Sequence, residues 1–170
     1  MSTVRTRTPT QGGFTLVELL TAVTVMAILL AIATPSFRDV ALAGQLRSSA
    51  NDLLATSRLA RSEAIKQNAV ITLCVSPDGA TCGTGGWEQG WIVLKGTEML
   101  QRHAGLAPGL KISAASSLTT VTFQPTGLGA TAATLTVCRA TPSIGRQERV
   151  VTIDTSGRAR VRKTTNGTCP

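Results

Sequence analysis

The chain has no tyrosine, three phenylalanines and two tryptophans among 170 residues. Rings this scarce cannot line a surface on which successive nucleotide bases stack, so any contact with nucleic acid should be made to phosphate. Histidine is nearly absent as well. His103 stands alone in the segment Gln101-Arg102-His103 and reads as a surface or strand residue rather than a general base. Acids number nine, no two carboxylates are paired in neighbouring sequence, and neither HExxH nor GxSxG occurs, so the chain is not expected to be an enzyme. The four cysteines, Cys74, Cys82, Cys138 and Cys169, lack the CxxC spacing of a zinc site, and neither a metal nor a cofactor is expected. No Gly-Lys-Ser or Gly-Lys-Thr follows Gly79, Gly83, Gly85 and Gly86, which leaves a phosphate-cradling loop unsupported and assigns these glycines to turns.

What the sequence does carry is positive charge: 17 Lys and Arg against nine Asp and Glu, a formal +8 with a pI near 10.4. That balance speaks about partners rather than about fold, and polyanions become candidates. The length accommodates one compact domain together with a membrane segment.

From Leu16 to Ala33 the chain is apolar apart from Glu18 and threonines. At 1.5 Å per residue such a run crosses most of a bilayer about 30 Å thick and reads as a transmembrane helix. Arg5 and Arg7 precede it in a leader without an acid, which by the positive-inside rule keeps the amino terminus in the cytoplasm and sends the rest outward. A secretory signal places its apolar stretch before the cleavage site; here the order is reversed. The segment QGGFTLVELL, Gln11 to Leu20, sets glycine before phenylalanine and a glutamate four residues beyond it. This resembles the type IV prepilin signature. The resemblance implies cleavage after Gly13 by a prepilin peptidase and N-methylation of the new terminal Phe14. An isolated carboxylate in hydrocarbon is costly and usually marks function by having a partner, the plain alternative being an acid near the helix end that snorkels to water; in the family the acid is thought to meet the amino terminus of a neighbouring subunit, which makes Glu18 an assembly determinant.

Beyond the apolar run, Leu42, Leu46, Ala50, Leu53, Leu54, Ala60 and Ala64 recur at helical spacing, while Arg47, Asn51, Arg58 and Ser62 occupy another face. The pattern predicts an amphipathic helix ending near Asn68, with a kink or break at Pro35. Short β-rich runs follow: Val70 to Val75, Trp91 to Lys95, Leu110 to Ser113, Thr119 to Gln124, Thr134 to Arg139, Arg149 to Asp154 and Arg158 to Lys163. The expected organisation is a leader over 1–13, a transmembrane and assembly helix over 14–34, an amphipathic helix over 35–68 and a β-rich domain over 69–170. Trp87 and Trp91 are read as core or hairpin anchors. Four cysteines allow three pairings; the short interval favours a Cys74–Cys82 clasp and leaves Cys138–Cys169 to pin the tail, in an oxidising compartment.

Basic residues concentrate late. Between Arg139 and Lys163 lie Arg139, Arg146, Arg149, Arg158, Arg160, Arg162 and Lys163 against Glu148 and Asp154. In the run Gly157-Arg158-Ala159-Arg160-Val161-Arg162-Lys163, residues two apart share a strand face, so Arg158, Arg160 and Arg162 form a ladder with a repeat of about 6.6 Å. Guanidinium groups grip phosphate oxygens in bidentate fashion. The plain alternative is a charged edge strand that resists aggregation.

The signature, the single helix, the strand pattern and the terminal cysteine together resemble the FimT and GspH group of minor pilins and pseudopilins. That resemblance implies an α+β, type IV pilin-like fold: a long amino-terminal helix, half transmembrane and half amphipathic, packed on an antiparallel β-sheet or sandwich. FimT-like minor pilins of naturally transformable bacteria carry a GRxR motif implicated in DNA binding, and Gly157-Arg158-Ala159-Arg160 matches it. Arg158 and Arg160 are therefore expected to bind DNA, with Arg162, Lys163, Arg146 and Arg149 extending the surface. The implied partners are DNA through its backbone, other major and minor pilins, the prepilin peptidase, the inner-membrane assembly platform and the membrane itself. The implied location is the inner membrane, with the globular part periplasmic, and then the extracellular filament. The alternatives are a structural minor pilin priming assembly and the H-type pseudopilin of type II secretion.

Overall fold

The computed structural model describes residues 13–141, 147–166 and 169, with residues 33–39 described in backbone only. The expected leader with Arg5 and Arg7, and Arg146, lie outside the described residues.

Helix α1 (Leu16–Lys66) is assigned as helical throughout, Pro35 included, so no break occurs there. Thr15 starts it: its hydroxyl accepts the Glu18 N–H at 3.3 Å, satisfying one of the amide groups that a helix start leaves without a partner. Two units divide the chain, one up to Ala41 and one from Leu42 onward. In the first, every residue from Gly13 to Ile32 is exposed, among them Phe14, Leu19, Val23, Met26 and Leu30. Among the described residues no helix is long and apolar enough to cross a membrane. The described apolar stretch, Leu16 to Ile32, covers about 25 Å at 1.5 Å per residue.

In the second unit the helix buries Leu42, Leu46, Ala50, Leu53, Ala60 and Ala64 and exposes Arg47, Asn51, Arg58 and Ser62, the division that the periodicity requires. Thr56 and Ser57 lie on the buried stripe too. Their hydroxyls donate to the carbonyls of Asp52 and Leu53, each at 2.8 Å, so neither polar group is left without a partner. The helix stops at Lys66, and Asn68 takes the left-handed conformation that suits a helix end.

Among the described residues eight strands follow: β1 (Ile71–Val75), β2 (Gly90–Lys95), β3 (Glu98–Ala104), β4 (Leu110–Ala114), β5 (Thr120–Phe123), β6 (Ala133–Arg139), β7 (Glu148–Ile153) and β8 (Ala159–Thr164). They form two four-stranded antiparallel sheets, ordered β3-β2-β1-β5 and β4-β6-β7-β8. One hydrophobic cluster draws Leu46 and Leu53 from the helix, Leu73, Trp91 and Phe123 from the first sheet, and Leu135, Val151 and Ile153 from the second.

Seven strands match the sequence expectation within a few residues; β3 was not expected. Its composition is polar and its residues largely exposed, so period-two hydrophobicity is missing. Gly96, at φ 58°, turns the chain between Lys95 and Glu98, and β3 forms as an edge held by backbone pairing to β2. His103 lies on it, stacked on Trp91 with ring centroids 4.0 Å apart and 3.5 Å from the Asp52 carboxylate. Trp91 is buried and donates its indole N–H to Thr56. Trp87 is buried as well and donates to the Leu118 carbonyl. Both tryptophans are thus core anchors.

Disulfides join Cys74 to Cys82 and Cys138 to Cys169, the pairing favoured by the intervals. The second ties the chain after β8 back to β6.

Candidate nucleic-acid interface

The β7–β8 hairpin is built by its turn, Asp154-Thr155-Ser156-Gly157-Arg158. The Gly157 N–H donates to the Asp154 carbonyl at 2.8 Å and the Asp154 N–H to the Arg158 carbonyl at 3.1 Å. Aspartate at the first position and glycine at the fourth are what such a turn prefers. The Asp154 carboxylate accepts the Ser156 hydroxyl at 2.5 Å and the Arg158 N–H at 3.0 Å. These bonds, that from Ser156 foremost, hold its pKa below the ordinary carboxylate value, with a smaller contribution from the nearby Arg160 charge. Asp154 therefore remains ionised at neutral pH as part of the turn.

From this turn β8 runs along the edge of its sheet, paired among the described residues only with β7, in the order β4-β6-β7-β8. Ala159 is buried against the core and Val161 packs on it, whereas Arg160 and Arg162 are exposed on the opposite face. Arg158, on the turn rather than in the strand, is exposed at the head of the same row. Across the ladder Arg160 faces Thr152 and Arg162 faces Val150. Together with Asp154 and Thr164 these residues line a shallow trough of about 400 Å³. At its far end the Thr164 hydroxyl donates to buried Glu148 at 2.9 Å.

The expected site residues thus divide. Arg158, Arg160 and Arg162 come together. Lys163 and Arg149 are paired neighbours across β7 and β8, but alternation sets them on the opposite face from the ladder. Arg149 also donates to the Glu148 carbonyl at 3.0 Å. Arg146 lies outside the described residues.

Two residues absent from the sequence expectation border the ladder. A cleft of about 500 Å³ lies between helix α1 and the hairpin, lined by Arg58, Arg61, Ser62 and Ile65 from the helix and by Gly157 to Arg160 from the turn and β8. Arg61 is fixed in place: Nε and Nη2 donate to the Gly127 carbonyl at 3.3 and 3.1 Å. The Gly129 and Ala130 N–H groups in turn donate to the Thr155 carbonyl at 2.8 and 3.0 Å. Helix, loop and hairpin turn are therefore joined in sequence. Gly157 rests on the Arg61 stem at φ 72°, where a Cβ would lie 3.0 Å from Arg61 Cδ. Among the described residues none of Arg58, Arg158, Arg160 and Arg162 has a carboxylate within ion-pair distance. Only the spacing of Arg58, Arg61, Ser62 and Ile65 on one helical stripe could have signalled the cleft, and nothing in the sequence says which hairpin lies beside that stripe.

Among the described residues no group of His, Cys, Asp or Glu is placed to hold a metal ion. The site offers guanidinium groups and backbone, which suits binding an anion.

A family model described as Type II transport protein GspH matches residues 49–157, and one described as Prokaryotic N-terminal methylation motif matches residues 8–34. No curated relative matches the sequence. Among solved structures, the type IV minor pilin FimU of Pseudomonas aeruginosa strain PAO1 is similar, at 26% identity and a TM-score of 0.56 over 69% of this chain and 92% of that one. The minor pseudopilin EpsH from the Type 2 Secretion System of Vibrio cholerae shares the fold at 16% identity and a TM-score of 0.50, over 69% of this chain and 96% of that one. With a family model across most of the globular unit and a methylation motif across the start of the helix, the chain belongs to the GspH family and is a type IV minor pilin or pseudopilin.

Proposed function

We propose that this subunit binds extracellular DNA without sequence preference through Arg158, Arg160 and Arg162, and that the filament carrying it draws DNA toward the cell for natural transformation. The observation that carries this reading is the row of exposed arginines that runs from the β7–β8 turn along edge strand β8, none within ion-pair distance of a carboxylate among the described residues. A row of guanidinium groups suits an anion with regularly spaced charges, and a phosphate backbone supplies anions in series. Scarce aromatic rings remove base stacking from consideration.

The remaining parts serve placement. Cleavage after Gly13 and methylation of Phe14 by a prepilin peptidase produce the mature amino terminus. The apolar start of the helix, 14–34, anchors the subunit in the inner membrane with its globular unit in the periplasm, and Glu18 guides its entry among other major and minor pilins on the assembly platform. Support for the anchor comes from the wholly exposed apolar surface from Phe14 to Ile32, far more than a water-soluble monomer tolerates.

The test is a mobility-shift titration of the Leu42–Pro170 unit, which encloses its own core, on duplexes of unrelated sequence. With about four to six phosphates neutralised, log affinity falls with log salt at a slope near −4 to −5. An Arg158→Gln/Arg160→Gln variant should bind much more weakly and transform poorly while still entering pili. Salt-insensitive binding, or unchanged transformation, rejects the reading.

A second reading, a purely structural subunit that primes filaments, is favoured by the same apolar stem. In it the β8 charges only protect a sheet edge, and the wild-type unit leaves DNA unshifted.

A further inference from the structure

We propose that the DNA site extends off the sheet onto helix α1, with Arg58 a phosphate-binding residue and Arg61 a positioning residue that holds the cleft open beside the β7–β8 turn. This inference rests on the DNA-binding reading above and deepens it.

Four guanidinium groups, Arg58, Arg61, Arg158 and Arg160, line one cleft of about 500 Å³ whose lining includes no acid. Like charges gathered so closely repel unless an anion lies between them, and arginine forks suit phosphate geometry. A cleft of this volume has room for a phosphodiester with its hydration.

Arg158 and Arg160 line both the helix-side cleft and the sheet-face trough. They stand on the ridge between the two, because β8 is an edge strand and, among the described residues, nothing pairs beyond it. Arg162 belongs to the trough alone, and Arg58 and Arg61 to the cleft alone. A phosphate backbone crossing the β8 edge therefore meets Arg162 on one side, Arg158 and Arg160 at the crest, and Arg58 on the other.

The two helix arginines differ in task. Arg58 is exposed and has no carboxylate within ion-pair distance among the described residues. Arg61 is half-buried, bound to the Gly127 carbonyl and overlain by Gly157. It sets the distance between helix and turn and adds its charge to the cleft without leaving that position. The glycine of the Gly157-Arg158-Ala159-Arg160 run thereby acquires a reason: a side chain there would push the turn off Arg61.

The experiment compares Arg58→Gln with Arg47→Gln in the mature chain in detergent, each titrated with duplex DNA across a salt series. Arg47 is exposed on the same helix but about 16 Å away, eleven residues at 1.5 Å each, and lines neither basin. Arg58→Gln should reduce the salt slope by about 1 and weaken binding about tenfold at 0.1 M salt, with Arg47→Gln close to wild type. For Arg61, Arg61→Lys keeps the charge but loses the fork to Gly127, so a loss of affinity at unchanged salt slope marks positioning. Equal losses from Arg47→Gln and Arg58→Gln overturn the inference in favour of a diffuse field. So does a silent Arg58→Gln beside a defective Arg158→Gln/Arg160→Gln, which leaves the DNA-binding reading standing. Wild-type binding in all variants overturns both.

Discussion

At Gly157 two constraints meet, a left-handed φ of 72° and a neighbour, Arg61 Cδ, at 3.0 Å from where a Cβ would sit. The conformation alone costs a non-glycine residue about 1–2 kcal/mol. Gly157→Ala should therefore lower stability by about 1–2 kcal/mol in urea unfolding and weaken DNA binding beyond that, since the turn carries Arg158. A shift in midpoint within a few tenths would show that the turn yields without strain. The sequence expectation ended one strand at Asp154 and began the next at Arg158, which left the turn between them without its chemistry named, although Asp154, Ser156 and Gly157 each act on immediate neighbours. Arg61 was not legible, because its partner, the Gly127 carbonyl, lies 66 residues away.

At the scale of elements, β8 is held on one side by β7 and beyond its end by the Cys138–Cys169 bond, whose sequence separation of 31 closes a long loop. In the chain-entropy model that loop contributes about 3 to 4 kcal/mol, and the eight-residue Cys74–Cys82 separation about 2.5 kcal/mol. A Cys138→Ser/Cys169→Ser variant should thus lose more stability in denaturant than Cys74→Ser/Cys82→Ser, and it alone should weaken DNA binding as the β8 end frays. The reverse order would place the tail outside the site. Strand β3 marks the limit of reading elements from local pattern. Glu98 to Ala104 has little hydrophobic alternation, and its place is set by the Gly96 turn and by His103 stacking on Trp91. Strands with a buried face announce themselves; an edge with an exposed one does not.

On the scale of the whole molecule, the chain separates an apolar stem from a unit that carries the basic site. Glu18 is the single acid on the stem between Gly13 and Ile32, and in the proposed assembly it neutralises a neighbouring amino terminus away from water, where an unpaired charge is costly. A Glu18→Ala chain should still reach the membrane but be absent from sheared filaments on immunoblots; normal incorporation would remove Glu18 from assembly. Such a variant should also transform poorly despite intact DNA binding by its globular unit, since capture without a filament brings no DNA to the cell.

The sequence by itself determined the apolar stem, the helical stripe from Leu42 to Ala64, seven of the eight strands among the described residues and the arginine row from Arg158 to Arg162, and it favoured the disulfide pairing without fixing it. Each follows from periodicity, turn chemistry or loop length, all local quantities. Only the tertiary structure decided that Arg58 and Arg61 share a cleft with Arg158 and Arg160, that β3 completes the first sheet, and that Lys163 and Arg149 face away from the ladder. These depend on which hairpin packs beside which face of the helix and on strand register. The shared core sets both, by joining residues as distant as Leu46 and Ile153.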